Sequence, residues 1–81
     1  MSVRRIATNY RLSYTFSNSF DERIVDVTLA VDRDETEEIQ RSIFEKAILD
    51  HAKEEDWCRC RVLDANGRCV ITYYKSGTEP I

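Results

Sequence analysis

Glycine is nearly missing from this chain: 81 residues contain two, Gly67 and Gly77. Neither belongs to a glycine-rich loop, so the phosphate cradles of nucleotide-binding motifs are lacking. Histidine occurs once, as His51. It falls on an apolar helix face with no acid placed to orient it, which argues against a Cys–His nucleophile. Cysteine occurs three times. An odd count argues against a disulfide framework and for a reducing compartment. No apolar run approaches the ~20 residues that span a bilayer. The opening MSVRRIATNY has basic residues with no apolar run behind them, unlike a signal peptide. The expectation is one small cytoplasmic domain with no cofactor and no catalytic residues, ordered over about residues 3–75 and trailing a loose tail at 76–81.

The strongest periodic signal is a helix from Asp34 to about Asp56. Asp34 and Glu37 have capping-box spacing. Glu35, Glu37 and Glu38 fill the first turn, where the helix dipole favours negative charge. Ile39, Ile43, Phe44, Ala47, Ile48 and His51 recur at steps of three and four, covering one side. Leu49 falls on the other. The helix ends on Glu54-Glu55-Asp56 against the dipole, so its last turn is expected to fray.

Two strand pairs flank this helix. From Tyr10 to Ser17, with a start reaching back to Val3 or Ile6, Tyr10, Leu12, Tyr14 and Phe16 alternate with polar residues. After Ser17-Asn18-Ser19, a turn with an unusual Phe20 beside it, Val25, Val27, Leu29 and Val31 share one face. Pairing Phe16 with Val25, Tyr14 with Val27 and Leu12 with Leu29 joins the two apolar sets; a shift of two keeps the faces, and a shift of one does not. Trp57–Asp64 and Arg68–Lys75 form a second hairpin around Asn66-Gly67, the pair that a type I′ turn favours. This turn sets Val62 against Ile71 and Cys60 against Tyr73. Cys58, Cys60, Val62, Cys69, Ile71 and Tyr73 then face the core. Trp57, Arg59, Arg61, Leu63, Val70, Thr72 and Tyr74 face away. The order is ββαββ: an α+β fold with a four-stranded antiparallel sheet, order 2-1-3-4, and one helix on one face, reached by a right-handed crossover.

His51, Cys58, Cys60 and Cys69 raise the question of zinc. The turn places Cys69 about four residues along the sheet from Cys60, roughly 13 Å, whereas zinc thiolates lie ~2.3 Å from one point. The cysteines are therefore expected to be reduced, buried and poorly reactive. Asp32 and Asp34 lack a third ligand and serve as loop and cap.

Charge is uneven. Residues 35–56 hold eight acids and three bases, net −5; residues 57–81 hold four bases and two acids, net +2; the first 34 residues balance, which leaves the chain at −3. Two candidate surfaces follow. The acidic helix face, with Glu38, Glu45, Asp50 and Glu54, suits a basic protein surface. The open sheet face, with Trp57, Arg59, Arg61 and Tyr74 and with Arg11 nearby, has the aromatic and arginine content by which some modules bind single-stranded nucleic acid. A cation–π pair of Arg59 over Tyr74 would explain the same residues structurally. The edge strands, second and fourth, offer a route to a homodimer.

The stretch AILDHAKEEDWCRCRVLDANGRCVITYYKSG, residues 47–77, resembles the second half of several small uncharacterised bacterial and phage ββαββ families. The resemblance rests on Ala47 in the helix and the Asn66-Gly67 turn. In layout the chain is similar to small phage anti-CRISPR proteins, which are acidic, cytosolic and without catalytic residues. It implies a non-enzymatic inhibitor of a host protein, such as a nucleic-acid-handling complex with a basic groove. The alternative is single-stranded nucleic-acid binding by the open sheet face.

Overall fold

The structure is a computed structural model and describes residues 6–17, 20–32 and 34–75; the expected tail, and any extension of the first strand to Val3, lie outside them. Strand β1 spans Ile6–Phe16 and β2 Glu22–Val31; helix α1 spans Glu37–His51; β3 spans Trp57–Leu63 and β4 Cys69–Tyr74. All neighbouring strands are antiparallel, in the order β2-β1-β3-β4. This is the expected ββαββ fold. Leu12, Tyr14, Val27 and Val31 from the first hairpin meet Phe44, Ala47 and Ile48 of α1 and Trp57, Cys60 and Val62 of β3. Strand residues two apart and helix residues three or four apart line one face each, which is why these positions share a core.

The helix is shorter than its pattern. Asp34 does not cap it. Its N–H is held by the Asp32 carboxylate at 2.8 Å, and Glu35 N–H donates to the Asp32 carbonyl at 3.2 Å. This local turn occupies the residues read as the helix start. Thr36 is the N-cap, extended at φ −61° and ψ 154°, and its hydroxyl accepts from Ile39 N–H. The other end stops at His51, five residues before Asp56, with Ala52 extended. The acidic run that follows opposes the dipole, while two strand side chains satisfy terminal carbonyls. Arg23 donates to the His51 carbonyl at 2.9 Å, and the Tyr14 hydroxyl donates to that of Ile48.

The first hairpin pairs Tyr10 with Val27, Leu12 with Val25 and Tyr14 with Arg23. This lies four residues from the expected register. An even shift leaves the apolar sets inward, so burial alone does not choose between them. Arg23 chooses. Opposite Tyr14, its guanidinium lies 4.6 Å from the ring centroid, bonds Glu54 at 2.9 Å and caps the helix. In the expected register Arg23 would sit in the loop without these partners.

Val62–Ile71 and Cys60–Tyr73 pair as expected. The turn does not have the expected form. Type I′ needs positive φ at two residues, and among the described residues only Gly67 has it, at 82°. Gly67 N–H donates to the Asp64 carbonyl at 3.0 Å, and the Asp64 carboxylate accepts from the N–H groups of Asn66 and Arg68 at 2.9 Å each. Asp64 thus favours a type I turn followed by a left-handed glycine, which brings a bulge into the hairpin. Leu63 now pairs with Cys69, and Val70 is the extra residue. Cys69 leaves the core and is exposed. A second irregularity pairs Thr15 with Arg59 but Phe16 with Trp57. The intervening Cys58 turns Trp57 to the helix side, where it is 4% exposed.

The cysteines therefore differ, against the expectation of three poorly reactive thiols. Cys60 is buried, Cys58 is intermediate and Cys69 is exposed. A brief pulse of thiol reagent on the native protein is expected to yield one adduct, at Cys69, by peptide mass spectrometry. Cys60 should label only as the protein unfolds. Equal labelling of Cys60 and Cys69 would contradict the packing.

Candidate functional site

Two surfaces remain after folding, on opposite sides of the sheet. On the open face the pairing sets residues in rows. Glu22, Thr15, Arg59 and Tyr74 form one; Ile24, Ser13, Arg61 and Thr72 form the next; Asp26, Arg11 and Leu63 form a third. Arg59 and Arg61 project from central strand β3, flanked by hydroxyls from β1 and β4. The Nε atoms of both are buried and have no hydrogen-bond partner among the described residues. Arg61 Nη2 lies 3.9 Å from Glu22, and Arg11 Nε lies 3.4 Å from Asp26. Ser13, wholly buried, donates to the Glu22 carboxylate. Alternation along the first strand already sets Ser13 on this face; its contact with Glu22 was not foreseen, because it depends on the hairpin register.

Trp57 does not belong to this face. It packs edge-on to Tyr14 at 5.6 Å and stacks on Tyr73 at 6.0 Å. Its ring is a core element, and Lys75 Nζ lies 5.6 Å from its centroid. Of the four residues read as an open-face site, the structure keeps Arg59, Arg61 and Tyr74 together and removes Trp57.

The helix acids are also separated. At about 100° per residue, Glu38 and Glu45 fall within about 20° of each other, with Ser42 and Leu49 on the same stripe. Asp50 lies about 120° around from Glu38. Glu54 is past the helix end and bonded to Arg23. Arg41 holds Glu45 at 2.9 Å. Leu49, 54% exposed, closes this stripe at the C-terminal end of the helix. At the N-terminal half of the helix, between α1 and β4, is an open groove bordered by Glu37, Glu38 and Arg41 and lined by Phe44, Val70 and Ile71.

His51 is engaged in the helix, its Nδ1 lying 2.9 Å from the Ala47 carbonyl. Cys58 donates to the Thr15 carbonyl at 3.4 Å. Burial pushes the Cys60 thiol up to about 12, against the opposing pull of Arg23. Burial also raises Tyr14, and a charge on Cys60 across the β1–β3 pair acts in the same direction. Both groups are thereby held neutral, which suits packing and not nucleophilic attack. Among the described residues, no three His, Cys, Asp or Glu side chains stand where they could share a metal ion, and no helix is long and apolar enough to cross a membrane. Comparison with protein-family models, curated proteins and solved structures finds no match for this chain.

Proposed function

We infer that this chain is a non-enzymatic protein-binding module whose contact surface is the outward stripe of α1. The observation that carries this reading is Leu49, 54% exposed on a stripe with Glu38, Ser42 and Glu45. An exposed apolar side chain next to charged ones combines binding energy with partner selection at an interface. The carboxylates suit a basic surface. Together with the resemblance in layout, this favours a phage or mobile-element inhibitor, anti-CRISPR-like, acting in the cytoplasm on a host complex that handles nucleic acid. Asp50 and Glu54 stand outside the contact set, one on another flank and one committed to Arg23.

One observation favours a second reading, single-stranded nucleic acid on the open sheet face: Arg59 and Arg61 stand in adjacent rows of that face, with Tyr74 opposite Arg59. Guanidinium groups pair with phosphates, although stacking falls to Tyr74 alone.

The test compares four proteins as bait in lysate and with a single-stranded oligonucleotide at physiological salt. Wild type is expected to retain a nucleic-acid-handling complex. Glu38→Lys with Glu45→Lys should slow its association about tenfold at low salt, and Leu49→Ala should speed release. Arg59→Ala with Arg61→Ala should leave capture intact. Oligonucleotide binding by wild type that vanishes in the double arginine variant would reverse the order of the two readings.

A further inference from the structure

Among the described residues the sheet has two free edges, built differently. β4 is six residues long and bulged against β3 at Val70. β2 is ten residues long, pairs with β1 without interruption, and contains no proline, glycine or lysine. Proteins normally blunt an edge with such devices, because its open N–H and C=O groups template another strand.

Hydrogen bonds elsewhere in the sheet identify those groups. Lys75 N–H donates to the Cys58 carbonyl at 3.0 Å and Asp64 N–H to the Arg68 carbonyl at 2.9 Å. Even-numbered residues of β3 thus face β4. Backbone direction alternates along a strand, so Arg59, Arg61 and Leu63 face β1, where their partners are Thr15, Ser13 and Arg11. Even-numbered β1 residues then face β2, opposite Arg23, Val25, Val27, Leu29 and Val31. The groups left for the outer edge are the N–H and C=O of Glu22, Ile24, Asp26, Thr28 and Ala30.

We propose that this edge pairs with β2 of a second copy of the chain, antiparallel about a two-fold axis at Thr28, to form an eight-stranded sheet. A two-fold antiparallel pair sets one residue against itself. Centred on Asp26, it opposes two carboxylates. Centred on Val27, it draws Arg23, which is held by Glu54 and the His51 carbonyl, into the paired stretch opposite Val31. Centred on Thr28, it opposes Val27 with Leu29 and Val25 with Val31 on the helix side, and Asp26 with Ala30 on the other. Within the stretch Val25–Val31 no like charges meet. The half-buried Val25 and Leu29 gain cross-strand apolar neighbours. Arg23, bound to Glu54 and His51, remains outside the paired stretch. The second copy thus brings a matching apolar ladder as well as backbone groups, and the outward stripe of α1 stays free.

Sedimentation velocity over a thousandfold concentration range tests this. Wild type is expected to pass from monomer to dimer. Thr28→Pro removes one outward N–H and spares the β1 ladder, so it should weaken the dimer tenfold or more with the circular dichroism retained. Thr28→Lys sets two ammonium groups face to face at an exposed position. It should weaken the dimer roughly two- to fivefold at low salt, with recovery at high salt, and it decides the matter if the proline variant misfolds. A wild type that stays monomeric throughout, or a dimer that neither variant alters, overturns the proposal.

Discussion

Trp57→Ala is expected to remove most of the stability of this domain. The ring is 4% exposed and lies between Tyr14 and Tyr73. Truncating a buried tryptophan costs about 3–5 kcal/mol, through lost transfer energy and the cavity left behind. Domains of this size have roughly 5 kcal/mol or somewhat more to lose. Urea denaturation should therefore show a midpoint lowered by more than half, or a protein already partly unfolded without denaturant. Trp57→Phe, which keeps a ring against Tyr14, should recover about half of the loss. A small loss of stability would mean that the ring is displaced from the core. The same substitution in a binding assay would then mislead, since lost binding would report unfolding and not a stacking contact.

This tryptophan also marks where the sequence became hard to read. Simple alternation along β3 assigns Trp57 and Arg59 to one face. It fails at Cys58, the extra residue opposite the Thr15–Phe16 step. A bulge changes the face of everything beyond it, and nothing in the local pattern of Trp57–Leu63 announces one. Cys69 was misplaced for the same reason at the other end of the hairpin. Asn66-Gly67 located the turn, but the side chain of Asp64, accepting from two backbone N–H groups, chose its type. Asp64 was legible as a turn former; its priority over the Asn-Gly preference was not.

Element order and sheet order were legible, because alternation, helical period and crossover hand act at the scale of whole elements. Helix ends and hairpin register were not, because single polar side chains decided both. Thr36 took the cap from Asp34, and Arg23 pulled Tyr14, Glu54 and the helix terminus together. Arg23 is one arginine among twelve basic residues, and no spacing rule links it to residues about thirty positions away. The candidate surfaces suffered most. The acids grouped by sequence lie on different sides of the helix or in an ion pair, while Ser13 met Glu22 through the register alone.

Stability is expected to fall steeply above about pH 9, and Cys60 supplies the first cause. Its thiol is pushed up to about 12 by burial, while an unfolded cysteine ionises near its ordinary value of about 8.5. Below that pH both states are protonated and the thiol makes no difference. Between the two values the unfolded chain loses a proton that the folded one keeps, so rising pH favours unfolding by up to about 1.4 kcal/mol per pH unit. Tyr14, also raised by burial, adds a second loss once unfolded tyrosine ionises near pH 10. The two groups are cross-strand partners, so charge on either makes ionisation of the other harder, and the folded state resists both until it opens. Urea midpoints from pH 7 to 11 measure the effect. Wild type should decline from about pH 9, Cys60→Ala should start lower in stability but stay level to about pH 10, and Tyr14→Phe should lose only the later part of the slope. The Tyr14→Phe variant also lacks the hydroxyl that bonds the Ile48 carbonyl, so its stability at pH 7 should already be lower by about 1–3 kcal/mol. Parallel curves for wild type and Cys60→Ala would show that the thiol reaches solvent in the folded state, contrary to its burial between Tyr14 and Tyr73 in the sheet.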